Sequence, residues 1–167
     1  MPAKSLLRLV SGVITAITGT VTSSGAANDG DFPVLDGTGR LDASVMPVGI
    51  AADTYTSTAG EALASGAFVY ITNTGTISNA SAASGANAAR GFVLAASASA
   101  AAATIFFEGR NTGLATLTIG ARYYLSDATA GGVTATPVSG AGKKHQFLGY
   151  AVTATSLDAE IDDFVTI

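Results

Sequence analysis

The segment ARYYLSDATAGGVTAT, residues 121–136, decides the fold. Arg122-Tyr123-Tyr124-Leu125 runs into a turn at Gly131-Gly132, and the chain resumes as Val133-Thr134. Aromatic and β-branched residues suit a pleated, half-buried surface, and paired glycines supply turn conformations. Side chains alternate across a strand, so Tyr123 and Tyr124 fall on opposite faces. One ring is expected in the core, and the other on a side where an aromatic can anchor a partner.

The same rhythm extends in both directions. Downstream lie QFLGYAVT (146–153) and DFVTI (163–167); upstream lie AFVYIT (67–72), GTIS (75–78), GFVLAA (91–96) and ATIFFEG (103–109). Each run is short and bounded by Gly, Asn, Asp, Ser or Pro. Regular short strands with such punctuation predict a mainly β chain, with a compact β-barrel or β-sandwich over residues 51–167. TAGEALASGA (58–67) is the one stretch here with helical composition, and it reads as a single turn or a loop. The alanine tracts at 79–89 and 96–103 carry no amphipathic stripe. They read as loops or closely packed strand edges.

Ahead of this unit the composition changes. Residues 1–33 form an arm and linker. SLLRLV resembles a helix start capped by Ser5, whereas GVITAITGTVT is β-branched and favours extended chain. Leu6, Leu7, Leu9, Val10, Val13, Ile14 and Ile17 make this arm apolar, and they are the candidate docking and assembly residues. The arm reads either as an ordinary buried strand or as a segment that packs on a neighbouring subunit. SSGAANDGDFP (23–33) is a linker by composition. Its Asn28, Asp29 and Asp31 do not follow the calcium-loop spacing, so no metal is expected.

VLDGTGRLDASVMPVGI (34–50) is an elbow. Apolar residues flank a glycine-containing turn, which predicts a hairpin. Gly37 and Gly39 can take positive φ, and Asp36 can bond its own downstream backbone. Leu41 follows, and Pro47 removes a backbone donor and biases Met46 towards extended chain.

Composition narrows the function. Charged residues are 12% of the chain, about half the usual quarter. So little ionic cover implies burial against copies of the chain or a larger partner. The eight basic residues are scattered and net charge is −4, which disfavours nucleic acid. There is no cysteine, hence no disulfide or thiolate site. Thr and Gly interrupt the N-terminal apolar stretch, so neither a signal core nor a membrane span is expected.

Reactive constellations are likewise not seen in the sequence. His145 is the only histidine and stands beside Lys143 and Lys144, without the nucleophile and carboxylate a triad needs. No GxSxG elbow or phosphate loop occurs. Glu108, at a strand end near Arg110, reads as a turn residue or a surface pair rather than one of two glycosidase carboxylates. The expectation is therefore no enzyme, no catalytic residue and no cofactor.

Two stretches carry a resemblance. VLDGTGRLDASVMP is similar to an elbow that recurs in structural proteins of tailed bacteriophages. GLATLTIGARYYLSDATAGGVTATP, followed by FLGYAVTATSL, resembles a β module of phage head-decoration, head-fibre and tail-fibre proteins. The match covers roughly residues 34 to 157. It implies a non-enzymatic virion protein on the capsid surface, made in the bacterial host cytoplasm. Its partners would be itself, as a homotrimer, and the major capsid protein, with no nucleic acid or membrane. Short length favours a head decoration or cement protein; the alternative is a tail-fibre or adaptor module facing a host-surface receptor.

Overall fold

A computed structural model describes residues 5–46 and 52–167. The chain divides into two compact units, Met1–Ala51 and Ala52–Ile167. Each is built from strands, and among the described residues the only helical pieces are two 3-10 turns in the first unit.

The first unit opens with an antiparallel pair, β1 (Ser5–Val10) and β2 (Val13–Thr18). The expected helix start at Ser5 is thus a strand. Ser11 (φ 49) and Gly12 (φ 84) both take left-handed backbone, the geometry of the two-residue hairpin turn whose twist matches its flanking strands. The β-branched residues of β2, Val13, Ile14, Thr15, Ile17 and Thr18, then favour pairing over helix.

After β2 the chain doubles back. Thr20 donates its N–H to the Phe32 carbonyl and accepts from the Val34 N–H, both at 3.0 Å. A Cβ on Gly19 would collide with Val34 and Phe32, so this crossing needs glycine. The 3-10 turns span Gly25–Asn28 and Ala43–Val45, the second capped by Asp42, which accepts from the Ser44 N–H.

The second unit holds two five-stranded antiparallel sheets. Its strands in chain order are β3 (Thr54–Thr58), β4 (Phe68–Ile71), β5 (Ile77–Asn79), β6 (Gly91–Val93), β7 (Ala102–Phe106), β8 (Gly109–Asn111) and β9 (Arg122–Leu125). They continue as β10 (Val133–Thr134), β11 (Lys144–His145), β12 (Phe147–Ala151), β13 (Leu157–Ala159) and β14 (Val165–Thr166). One sheet runs β3-β7-β6-β4-β5 and the other β10-β9-β12-β13-β8; β11 and β14 form a separate ribbon. The arrangement is sandwich-like and no barrel closes. All eight strand segments expected from sequence in this unit contain strands, whereas β3, β8, β11 and β13 were not expected.

Apolar side chains explain the layers. Register places Phe68 opposite Phe92 and Phe92 opposite Phe106. Their ring centroids lie 6.0 and 5.9 Å apart, a cross-strand aromatic row. Phe68 and Phe92 meet Leu125, Leu148, Ala151 and Leu157 of the second sheet in one core. The opposite face of the first sheet carries Val69, Val93 and Ile105, covered by Ala59 and Leu63. A sheet buried on both faces has runs of apolar residues rather than strict alternation.

The 58–67 stretch is not helical; it lies as a loop with Ala59 and Leu63 buried. In the first alanine tract Ala80, Ala82, Ala88 and Ala89 are buried in a loop. Small side chains let that loop lie close against the core. The second tract is mostly exposed loop until β7 begins at Ala102, and Ala103 is its first buried residue.

Two buried amides tie backbones together. Asn111, fully buried, donates to the Gly66 carbonyl at 2.8 Å and accepts from the Gly113 N–H at 3.1 Å. Gln146 accepts from the Ala89 N–H at 2.8 Å, and its Nε2 donates to the Ala89 and Asp162 carbonyls, each at 2.9 Å.

Candidate functional site

Two surfaces bring together residues with the means to bind something. The first is the hairpin of the N-terminal unit. Register puts Leu7 with Ala16 and Leu9 with Ile14 on one face. The other face carries Leu6 with Ile17, Arg8 with Thr15, and Val13; the Val10 side chain lies outside what the structure describes. Leu7, Leu9 and Ile14 are 77%, 68% and 70% exposed. Leu6 and Val13 are exposed as well, and Ile17 is half-buried. An ordinary buried strand is therefore not what the arm is. An isolated two-stranded ribbon is marginal in water, and each covered Leu or Ile side chain contributes on the order of 1.5–3 kcal/mol.

The elbow residues form a turn instead of the expected hairpin. Oδ1 of Asp36 accepts from the Thr38 N–H and hydroxyl at 2.8 Å and from the Arg40 N–H at 3.0 Å. The Asp36 N–H closes the loop on the Arg40 carbonyl at 2.7 Å. These bonds, led by the Arg40 N–H, hold the Asp36 carboxyl below its ordinary pKa. With the turn satisfied by a carboxylate, the flanking residues need no ladder, and none forms among described residues 34–46. Gly39 takes positive φ (80); Gly37 does not. Leu41 is partly exposed, and Pro47 lies outside the described residues.

Asp31 of the linker is occupied internally. Thr20 donates its hydroxyl to Asp31 at 2.6 Å and Asn28 donates its amide at 2.9 Å, and these bonds, Thr20 first, lower the Asp31 pKa.

The second surface is a groove on the outer side of β9 and β12, and its main device is a bulge. Phe147 pairs with Tyr124 and Tyr150 with Arg122, yet Leu148 and Gly149 together stand opposite Tyr123. Gly149 has φ 142, and a Cβ there would strike the Asp158 carbonyl. Without the extra residue Phe147 and Tyr150, three apart, would point to opposite faces. The bulge re-aims Tyr150 outward while Leu148 and Ala151 stay in the core.

Three rings result in a row. Tyr124 and Phe147 have centroids 5.9 Å apart, and Phe147 and Tyr150 5.2 Å, both edge-to-face. His145 lies 5.0 Å from Tyr124. The Arg122 guanidinium lies 5.6 Å from the Tyr150 ring centroid and its Nε donates to the Tyr150 hydroxyl at 3.2 Å. Tyr123 takes the other face, buried, with its hydroxyl accepting from the Thr118 N–H.

The far wall is acidic. The Glu160 N–H donates to the Leu148 carbonyl at 3.0 Å and the Asp162 N–H to the Phe147 carbonyl at 3.2 Å. Segment 160–162 thus continues alongside β12 past the end of β13, with Ile161 against the core and Glu160 and Asp162 lining a cleft of about 380 Å³.

Elsewhere, Glu108 and Arg110 are exposed and make no ion pair; among the described residues the one ion pair joins Lys143 and Asp127. Of the groove residues, sequence reasoning singled out Tyr124 and His145 and missed Arg122, Phe147, Tyr150, Glu160 and Asp162. The available signal was Gly149 inside a strand pattern, a mark of a bulge. Comparison with protein-family models, curated proteins and solved structures finds no match for this chain.

Proposed function

We propose that this chain is a non-enzymatic structural protein of a tailed-phage virion. It docks on the outer surface of the head through the β1–β2 hairpin and assembles as a homotrimer. The observation that carries the reading is the hairpin, both of whose faces present apolar side chains, with Leu6, Leu7, Leu9, Val13 and Ile14 exposed. Such a surface lowers its free energy by being covered. Low ionic cover over the whole sequence points the same way. A protein that binds only the closed shell stabilises it by mass action. The major capsid protein is the partner, and the β unit is left exposed.

The test is co-sedimentation of the full chain with undecorated phage heads. Asp at Leu7, Leu9 and Ile14 together should abolish binding, since three charges cannot enter an apolar contact uncompensated. The cores of the β unit are made only of its own residues, so its thermal unfolding transition should not change. Undiminished binding by the triple variant would remove the hairpin's role. A single-chain mass near 16.4 kDa for the unmodified protein in solution would remove the trimer.

A further inference from the structure

We propose that the groove over β9 and β12 binds a neutral saccharide. This goes beyond the docking role, and rests on no contact of the hairpin. The groove combines two kinds of wall. Tyr124, Phe147 and Tyr150 offer apolar ring surface; Arg122, Glu160 and Asp162 offer hydrogen-bonding charge.

A sugar ring has matching halves. Its C–H faces are apolar, and its rim of hydroxyls both donates and accepts. Carboxylates accept from hydroxyls and a guanidinium donates to them. His145 also lines the groove; with its imidazole uncharged, one guanidinium against two carboxylates leaves the groove net negative, which opposes phosphate, nucleic acid and acidic glycans. The cleft of about 380 Å³ falls within the 300–1,000 Å³ of ligand sites.

The site is also prearranged. A glycine that no other residue can replace without a backbone collision sets the position of Tyr150. Buried Gln146 holds the Asp162 backbone, and with it the acidic wall. Walls fixed in advance lose little freedom when a ligand arrives.

The experiment is affinity electrophoresis of the full chain through gels containing dextran, galactomannan or mixed-linkage β-glucan, with heparin as the anionic control. An array of neutral oligosaccharides supplies shorter probes. The chain has no tryptophan, and two of its five tyrosines, Tyr124 and Tyr150, line the groove, so a ligand-dependent change in tyrosine emission that is lost in Tyr124→Ala and Tyr150→Ala reports the groove. Retardation or array binding by a neutral saccharide is expected, with none by heparin. Tyr124→Ala and Tyr150→Ala should each weaken it about tenfold. Glu160→Gln alters an exposed side chain only, keeps the fold intact, and should weaken it severalfold. Absence of binding to every neutral probe overturns the proposal. So does binding that all three substitutions leave unchanged, or binding to heparin alone. A polar protein surface as the true occupant would appear as the first of these.

Discussion

Gln146→Ala tests how the second unit is held together. Gln146 is 2% exposed and makes three hydrogen bonds, two to Ala89 and one to Asp162. At about 1 kcal/mol net each, they contribute about 3 kcal/mol. Ala89 is itself buried, so its N–H and carbonyl cannot turn to water, and their stranding raises the cost to about 4 kcal/mol. That is a large part of the 5–15 kcal/mol typical of a domain. For a unit of this size about 4 °C is lost per kcal/mol, which gives a fall in Tm of about 16 °C.

Calorimetry and urea titration followed by circular dichroism measure this, and an unchanged m-value confirms that stability alone has moved. Gln146→Glu refines it. The carboxylate keeps the bond from the Ala89 N–H but faces two carbonyls, which raises its folded pKa. A raised carboxyl is most stable below its unfolded value and loses stability as pH climbs past it. This variant should therefore recover partly below about pH 4 and be weakest at neutrality. A fall in Tm of less than about 4 °C for Gln146→Ala, with the same m-value, would refute the accounting.

Two further outcomes follow from local geometry. Gly149→Ala forces a Cβ against the Asp158 carbonyl at a φ that side chains avoid; it should cost about 3 kcal/mol in a urea titration. The same change should separate the Phe147 and Tyr150 rings, seen as loss of their ring-to-ring nuclear Overhauser contacts. Lys143 donates to Asp127 and holds that carboxyl below its ordinary pKa. This half-exposed pair contributes fully above the unfolded value and is lost as pH falls through the folded one, so Lys143→Gln should flatten the stability profile below about pH 4. Identical profiles for variant and parent would contradict this.

Much of the second unit is legible in the sequence, for a physical reason. AFVYIT, GFVLAA and ATIFFEG are nearly unbroken apolar runs because their sheet is buried on both faces. The opposed directions of Tyr123 and Tyr124 follow from strand alternation alone. The polar edge strand β3, Thr54–Thr58, has no apolar face to announce it. The hairpin was obscured differently. Ser11-Gly12 reads as an interruption of an apolar stretch, yet it is the turn that makes pairing possible. The groove depends on a one-residue shift, and no window of sequence shows a shift that exists only relative to a partner strand. Gln146 looks like any polar residue at the head of a strand. Its burial depends on a loop 57 residues away folding onto it.

If the hairpin docks as proposed, its two faces, both with apolar side chains, limit the shape of whatever receives it. A ribbon with one greasy side lies flat on a wall; one with two must be a wedge, gripped from above and below. The receiving position would then be a slot or a seam between neighbouring bodies. Occupancy would be set by how many seams the assembly offers, not by how many subunits compose it.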